Sequence, residues 1–178
     1  MNNENRLIIA KKYAQAFINI FKKKLVFDDL KKLESFSEYL RENRNIFVYA
    51  KLSLIDISVK EEVFDKLLSS FNLGDFFSDL VNLLIKHNRI SLLPEVLDNI
   101  IKIYKNDNNI MEFNVISSDK LTENRLNLIK TFLSNKTQKY IIIKEKIDPN
   151  LIAGLKIYSD DFEWQNSIRH QLNLLERS

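Results

Sequence analysis

Two glycines and two prolines in 178 residues leave this chain few ways to turn sharply. Sandwiches and barrels need many tight turns, and those turns lean on glycine for positive φ and on proline for a preset one. Scarcity of both favours helices joined by short polar loops. The length allows one or two small domains with a real core.

Hydrophobic spacing agrees over the first hundred residues. Ala10, Tyr13, Ala14, Phe17, Ile20 and Phe21 recur every three or four residues and predict a helix from about Glu4 to Lys24. A second helix is expected from Phe27 to Arg41, on Leu30, Leu33, Phe36 and Leu40, and a short third one from Asn43 to Tyr49. Ser58-Val59-Lys60-Glu61 has the form of a capping box and starts a helix bearing Val63, Phe64, Leu67 and Leu68. Gly74 breaks that run. The next helix carries Phe76, Phe77, Leu80, Val81, Leu83 and Leu84 to about His87. Leu92 to Tyr104 completes six, with Pro94 tolerated in its first turn. Short connections make antiparallel neighbours, hence a six-helix bundle over residues 1–105.

The pattern changes at Lys105-Asn106-Asp107-Asn108-Asn109, a polar stretch that reads as a linker. Met111, Phe113 and Val115 then alternate with polar residues, as a strand does. Thr122 is placed to cap a helix with Leu126, Ile129, Phe132 and Leu133. Tyr140 to Lys146 reads as a strand, Asp148-Pro149 as a turn, and Leu151 to Tyr158 as a strand. Asp160-Asp161 suggests a hairpin, Phe162 to Trp164 a short strand, and Asn166 to Glu176 a last helix. The expected fold class is mainly α: a six-helix bundle followed by a small α+β domain over residues 106–178.

Little in the chain suggests reaction chemistry. There are no cysteines, so thiolate nucleophiles, disulfides and Cys-based zinc sites are excluded. His87 and His170 fall in different expected domains, and no HExxH pair exists. Two glycines cannot build a phosphate loop. Asp28-Asp29 and Asp160-Asp161 are adjacent rather than facing, as turn or helix-start residues are. The expectation is no enzyme, no cofactor and no metal. The formal charge of +3 is spread among interspersed acids, unlike the basic stripe of a nucleic-acid binder. Lys22-Lys23-Lys24 reads as a solvated helix end. No apolar run approaches the ~20 residues that span a bilayer, and no signal-peptide pattern opens the chain, so an intracellular soluble protein is expected.

Four motifs in order carry a resemblance. Ala10-Lys11-Lys12-Tyr13-Ala14-Gln15-Ala16-Phe17 comes first. Asn88-Arg89-Ile90-Ser91-Leu92-Leu93-Pro94-Glu95 follows, then Val115-Ile116-Ser117-Ser118 with Leu121. The last joins Asp148 and Leu151-Ile152-Ala153-Gly154 to Ser167-Ile168-Arg169 and Leu172. Across nearly its whole length the chain resembles the delta subunit of bacterial rotary ATP synthases, the counterpart of the mitochondrial oligomycin-sensitivity-conferring protein. It departs at Ala153, where the family usually has a second glycine, and at Gln165-Asn166, where it commonly has Asp-Gly. Asn166 tolerates positive φ and is expected to keep a left-handed turn there.

The resemblance implies a non-catalytic stator subunit. The helical domain would dock on the catalytic head by gripping N-terminal segments of alpha subunits, and the C-terminal domain would hold the b subunits of the peripheral stalk. A groove between the first and fifth helices is implied, with Tyr13, Ala16, Leu80 and Leu83 as its residues. On the stalk side the implied residues are Ile168, Arg169, Leu172 and Leu175. One copy per complex, peripheral on the cytoplasmic face of the bacterial cell membrane and without nucleic acid, is what the family implies. A helical RNA-binding or antitermination module is the alternative that a six-helix bundle leaves open.

Overall fold

The computed structural model describes residues 3–52, 54–151, 154–159 and 162–167. It divides between Tyr104 and Lys105 into two compact units. The first is built from α1 (Asn3–Phe21), α2 (Phe27–Glu42), α3 (Asn45–Lys51), α4 (Ile57–Ser70), α5 (Asp75–Lys86) and most of α6 (Leu93–Asp107), with a 3₁₀ turn at Ile90–Leu92. One apolar core draws on all six helices. Phe36, Phe64 and Phe77 are its largest fully buried side chains. Each helix gives the core the residues that its three- and four-residue spacing puts on one stripe, because side chains so spaced share a face.

Polar clamps fix the register of helices distant in sequence. Arg6 donates to the Ser91 carbonyl at 2.9 Å and to Glu95 Oε1 at 2.7 Å. Asp98 accepts from the buried Ser37 hydroxyl at 2.9 Å through one oxygen and from Arg41 through the other. Asp29 turns back to accept from the Val26 amide at 3.1 Å, satisfying one donor at the start of α2.

Asparagine does much of the work that glycine does elsewhere. Asn72 and Asn88 adopt φ of 51° and 53° just past α4 and α5. At each end the next amide reaches back five residues, Leu73 to the Leu68 carbonyl at 3.0 Å and Arg89 to the Leu84 carbonyl at 2.7 Å. The asparagine amides bond three residues back, at 3.0 and 2.9 Å. Both ends are therefore Schellman closures with asparagine in the left-handed position. Gly74 serves another purpose. A Cβ there would come within 2.7 Å of the Phe76 ring, which packs among Phe17, Phe21 and Phe77.

The second unit holds β1 (Ile110–Ser117), α7 (Glu123–Thr137), β2 (Tyr140–Ile147), β3 (Gly154–Ser159) and β4 (Phe162–Ser167). The sheet order is β2-β1-β3-β4, parallel between β1 and β2 and antiparallel elsewhere. The parallel pair needs a crossover, and α7 supplies it. Phe113, Val115, Ile141 and Ile157 form the buried core with Leu121 and Leu133. Thr122 caps α7 by accepting from the Arg125 amide. Asp148 forms an Asx turn, its Oδ1 accepting from the Asn150 amide at 3.0 Å. Gly154 opens β3 at φ 113°, a conformation that side chains rarely adopt.

Several local expectations are corrected. Helix α4 begins one residue before Ser58, with extended Asp56 at its N-cap, so the capping box does not form. Glu61 instead lies 3.9 Å from Lys86. Helix α1 stops at Phe21, and Lys22–Lys24 form a turn rather than a helix end. Ile20 is 71% exposed rather than inward, and Phe132 is 55% exposed. Residues 105–107 belong to α6, so the stretch read as a linker is reduced to Asn108-Asn109. Asn166 pairs with Leu155 inside β4, so the left-handed turn expected there is absent. The terminal helix lies outside the described residues beyond Ser167.

Candidate docking surface on the helical unit

Helices α1 and α5 meet through aromatic rings. Phe17 lies 5.0 Å from Phe77 and 6.0 Å from Phe76, centroid to centroid, and Phe21 lies 5.5 Å from Phe76. This apolar seam fixes the two helices and leaves a flank on each. On α1, residues 13, 16 and 20 share a stripe beside the buried Ala10, Ala14, Phe17 and Ile18. Tyr13 is half-buried, Ala16 is exposed, and Ile20 projects. On α5, Leu83 is 44% exposed while its neighbours Leu84 and Ile85 are buried.

The Tyr13 hydroxyl accepts from Arg89 Nη1 at 3.2 Å, and the guanidinium carbon stands 5.9 Å from the ring. A cation over an aromatic face adds a modest attraction at such exposure. Arg89 therefore ties α1 to the residue just past the α5 stop. The opposite end of the surface is marked by Lys24, whose ammonium lies 5.5 Å from the Phe21 ring.

The four residues expected at a first-and-fifth-helix groove thus divide. Tyr13, Ala16 and Leu83 have accessible surface on the two flanks. Leu80 is 5% exposed and belongs to the core, where its side chain packs among the helices. Sequence reasoning missed two contributors. Ile20 stands seven residues from Tyr13 and four from Ala16, so the same spacing that joined those two could have placed it with them. Arg89 has no local signal, since its contact with Tyr13 spans 76 positions. Ile168, Arg169, Leu172 and Leu175 lie outside the described residues.

No reactive constellation accompanies this surface. Among the described residues no group of three His, Asp or Glu side chains is placed to hold a metal ion. No helix there is long and apolar enough to cross a membrane. The carboxylates with perturbed acidity sit in ion pairs. Glu112 is partly buried, which opposes ionisation, but hydrogen bonds and charge from Lys105 and Lys144 prevail and hold it below the usual range. Such a pairing orders a structure and offers no proton to a substrate.

A helical bundle with an apolar flank, joined to a small α+β unit, defines a two-unit protein of the kind that presents docking surface. A family model described as ATP synthase delta (OSCP) subunit matches residues 9–178. The chain is 29% identical over 169 residues to the ATP synthase subunit delta of Wigglesworthia glossinidia brevipalpis, covering 95% of this chain and 94% of the relative. It is 28% identical over 177 residues to that of Bacillus cereus (strain B4264), covering 96% and 94%. Its fold is similar to a chain of the Toxoplasma gondii mitochondrial ATP synthase hexamer, with a TM-score of 0.67 at 14% identity, covering 94% of this chain and 95% of the other. The chain belongs to the ATP synthase delta (OSCP) subunit family. It is a non-catalytic stator subunit of ATP synthase, part of that membrane-associated complex. Family membership sets aside the RNA-binding alternative.

Proposed function

We propose that the flanks of α1 and α5 grip an N-terminal segment of an alpha subunit, while the C-terminal unit holds the b subunits. The protein is then a static joint between catalytic head and peripheral stalk, one copy per complex, on the cytoplasmic face of the membrane. A stator joint resists torque and needs no reactive group. Rigid elements presenting apolar surface serve it, and a partner helix laid between two helices buries that surface. Nanomolar holding requires about −12 kcal/mol, within reach of a few buried anchors in a standard-sized interface.

The observation that carries the reading is the stripe of Tyr13, Ala16 and Ile20 on α1, with Leu83 exposed on α5, on helices locked by the Phe17–Phe76–Phe77 cluster. Ala16 is its informative member. A small exposed residue between two larger ones lets a partner backbone come close. In calorimetric titration with a peptide of the alpha N-terminus, Ala16→Trp is expected to weaken binding at least about tenfold. The circular dichroism melt should be unchanged, because Ala16 faces solvent. Unchanged affinity in a folded variant would remove Ala16 from the interface.

A further inference from the structure

We propose that a second groove of the helical unit, between α3 and the N-terminal part of α6, takes an acidic amphipathic helix of a partner polypeptide. The groove has a volume of about 480 Å³, and α1 and α2 contribute to its lining. It shares no residue with the α1–α5 flanks and adjoins them only at α1, where Arg6 stands seven residues before Tyr13.

Its charges are unevenly compensated. Arg6 is paired with Glu95 and Arg41 with Asp98, which neutralises both acids on the α6 wall. Arg44 and Lys51 also line the groove and have no charged partner among the described residues. That leaves two positive charges facing an open cleft. Arg44 immediately precedes α3 with helical backbone angles and Lys51 ends it, so the two cations, seven residues apart, stand on one face about 10 Å apart along the axis. Val48 lies on that face between them and is 61% exposed. Phe47 and Pro94 add apolar wall.

A cation, an apolar side chain and a second cation in a row have a definite complement. It is a helix with carboxylates about two turns apart and an apolar residue between them. A nucleic acid fits less well. Phosphates have no use for the apolar centre that Val48 forms between the two cations. A purely apolar helix would leave Arg44 and Lys51 covered without a partner, which is costly.

The test uses the full chain and a fluorescent, end-blocked helical peptide with glutamates seven residues apart and leucines between them. The expected result is saturable binding in anisotropy, weakening as sodium chloride rises from 50 to 500 mM. Replacing the glutamates by glutamines should weaken it about tenfold, as should Arg44→Ser with Lys51→Ser. Both side chains are exposed, so the double variant should keep the parent melting temperature. It should also keep its affinity for the alpha peptide, which separates failure here from failure of the α1–α5 reading. Absence of binding at millimolar peptide, equal binding of the glutamine peptide, or tighter binding of a twelve-nucleotide RNA would each overturn the proposal.

Discussion

Glu112 shows how one side chain sets the acid response of its surroundings. It sits on β1 and accepts from Lys105 at 2.5 Å and from Lys144 at 2.8 Å. Burial alone would raise its pKa, but the two lysines lower it below the ordinary 4.5. A carboxyl whose folded pKa is depressed contributes stability that is present above its unfolded pKa. That contribution is lost as pH falls through the folded value. Urea unfolding of Glu112→Gln should therefore show a loss relative to the parent at pH 7 that shrinks as pH falls below the ordinary carboxylate range and through the lowered folded value. A difference independent of pH would mean that Glu112 acts through packing alone. The sequence showed Glu112 only as the polar member of an alternating strand. Its partners were illegible, because Lys144 reaches it through the β1–β2 register, in which Asn114 faces Lys144.

At the scale of elements, the ends of α4 and α5 explain how a chain with two glycines stops its helices. Asn88 closes α5 at φ 53°, and the Arg89 amide completes the Schellman bond to Leu84. Arg89 is also the partner of Tyr13, so the geometry of this stop positions one member of the docking surface. Asparagine bears the left-handed conformation at lower cost than alanine, and glycine at none. Asn88→Ala is expected to cost about 1 kcal/mol in urea denaturation, and Asn88→Gly to stay within about 0.5 kcal/mol of the parent. Equal stability of all three would mean that the closure carries no strain. The bodies of the helices were legible because apolar spacing is a local property. Their starts were less so. Ser58 and Glu61 have the letters of a capping box, yet extended Asp56 begins the helix earlier. The division of α1 and α5 residues between core and flank was legible only to within a helical turn. Ile20 and Leu80 were both apolar at apolar spacing, and only the placement of neighbouring helices separates the exposed one from the buried one.

At the scale of the whole molecule, the two units differ in what holds them. The helical unit buries side chains from six helices in one core, with Phe36, Phe64 and Phe77 sealed from solvent. In the second unit, the described core is Phe113, Val115, Leu121, Leu133, Ile141 and Ile157, with strand β2 largely exposed beyond Ile143. Its sheet also depends on a parallel pair, which is slightly weaker per residue than an antiparallel one. Among the described residues this core is the smaller, so less apolar surface is buried there against a similar entropy cost per residue. Differential scanning calorimetry should accordingly show two transitions, the lower belonging to residues 105–178. Phe113→Ala removes the largest fully buried side chain among the described residues of that unit and is expected to cost about 3–5 kcal/mol. That loss should lower the first transition by more than about 10 °C, because a domain of this size moves ~4–8 °C per kcal/mol. Phe36→Ala, in the helical core, should instead lower the second and leave the first in place. For a stator joint the distinction has a consequence. If both substitutions shift one common transition, the units fold as a single cooperative body, and torque passes through it without an internal weak point. Two separate transitions would place the first failure under load in the unit proposed to hold the stalk.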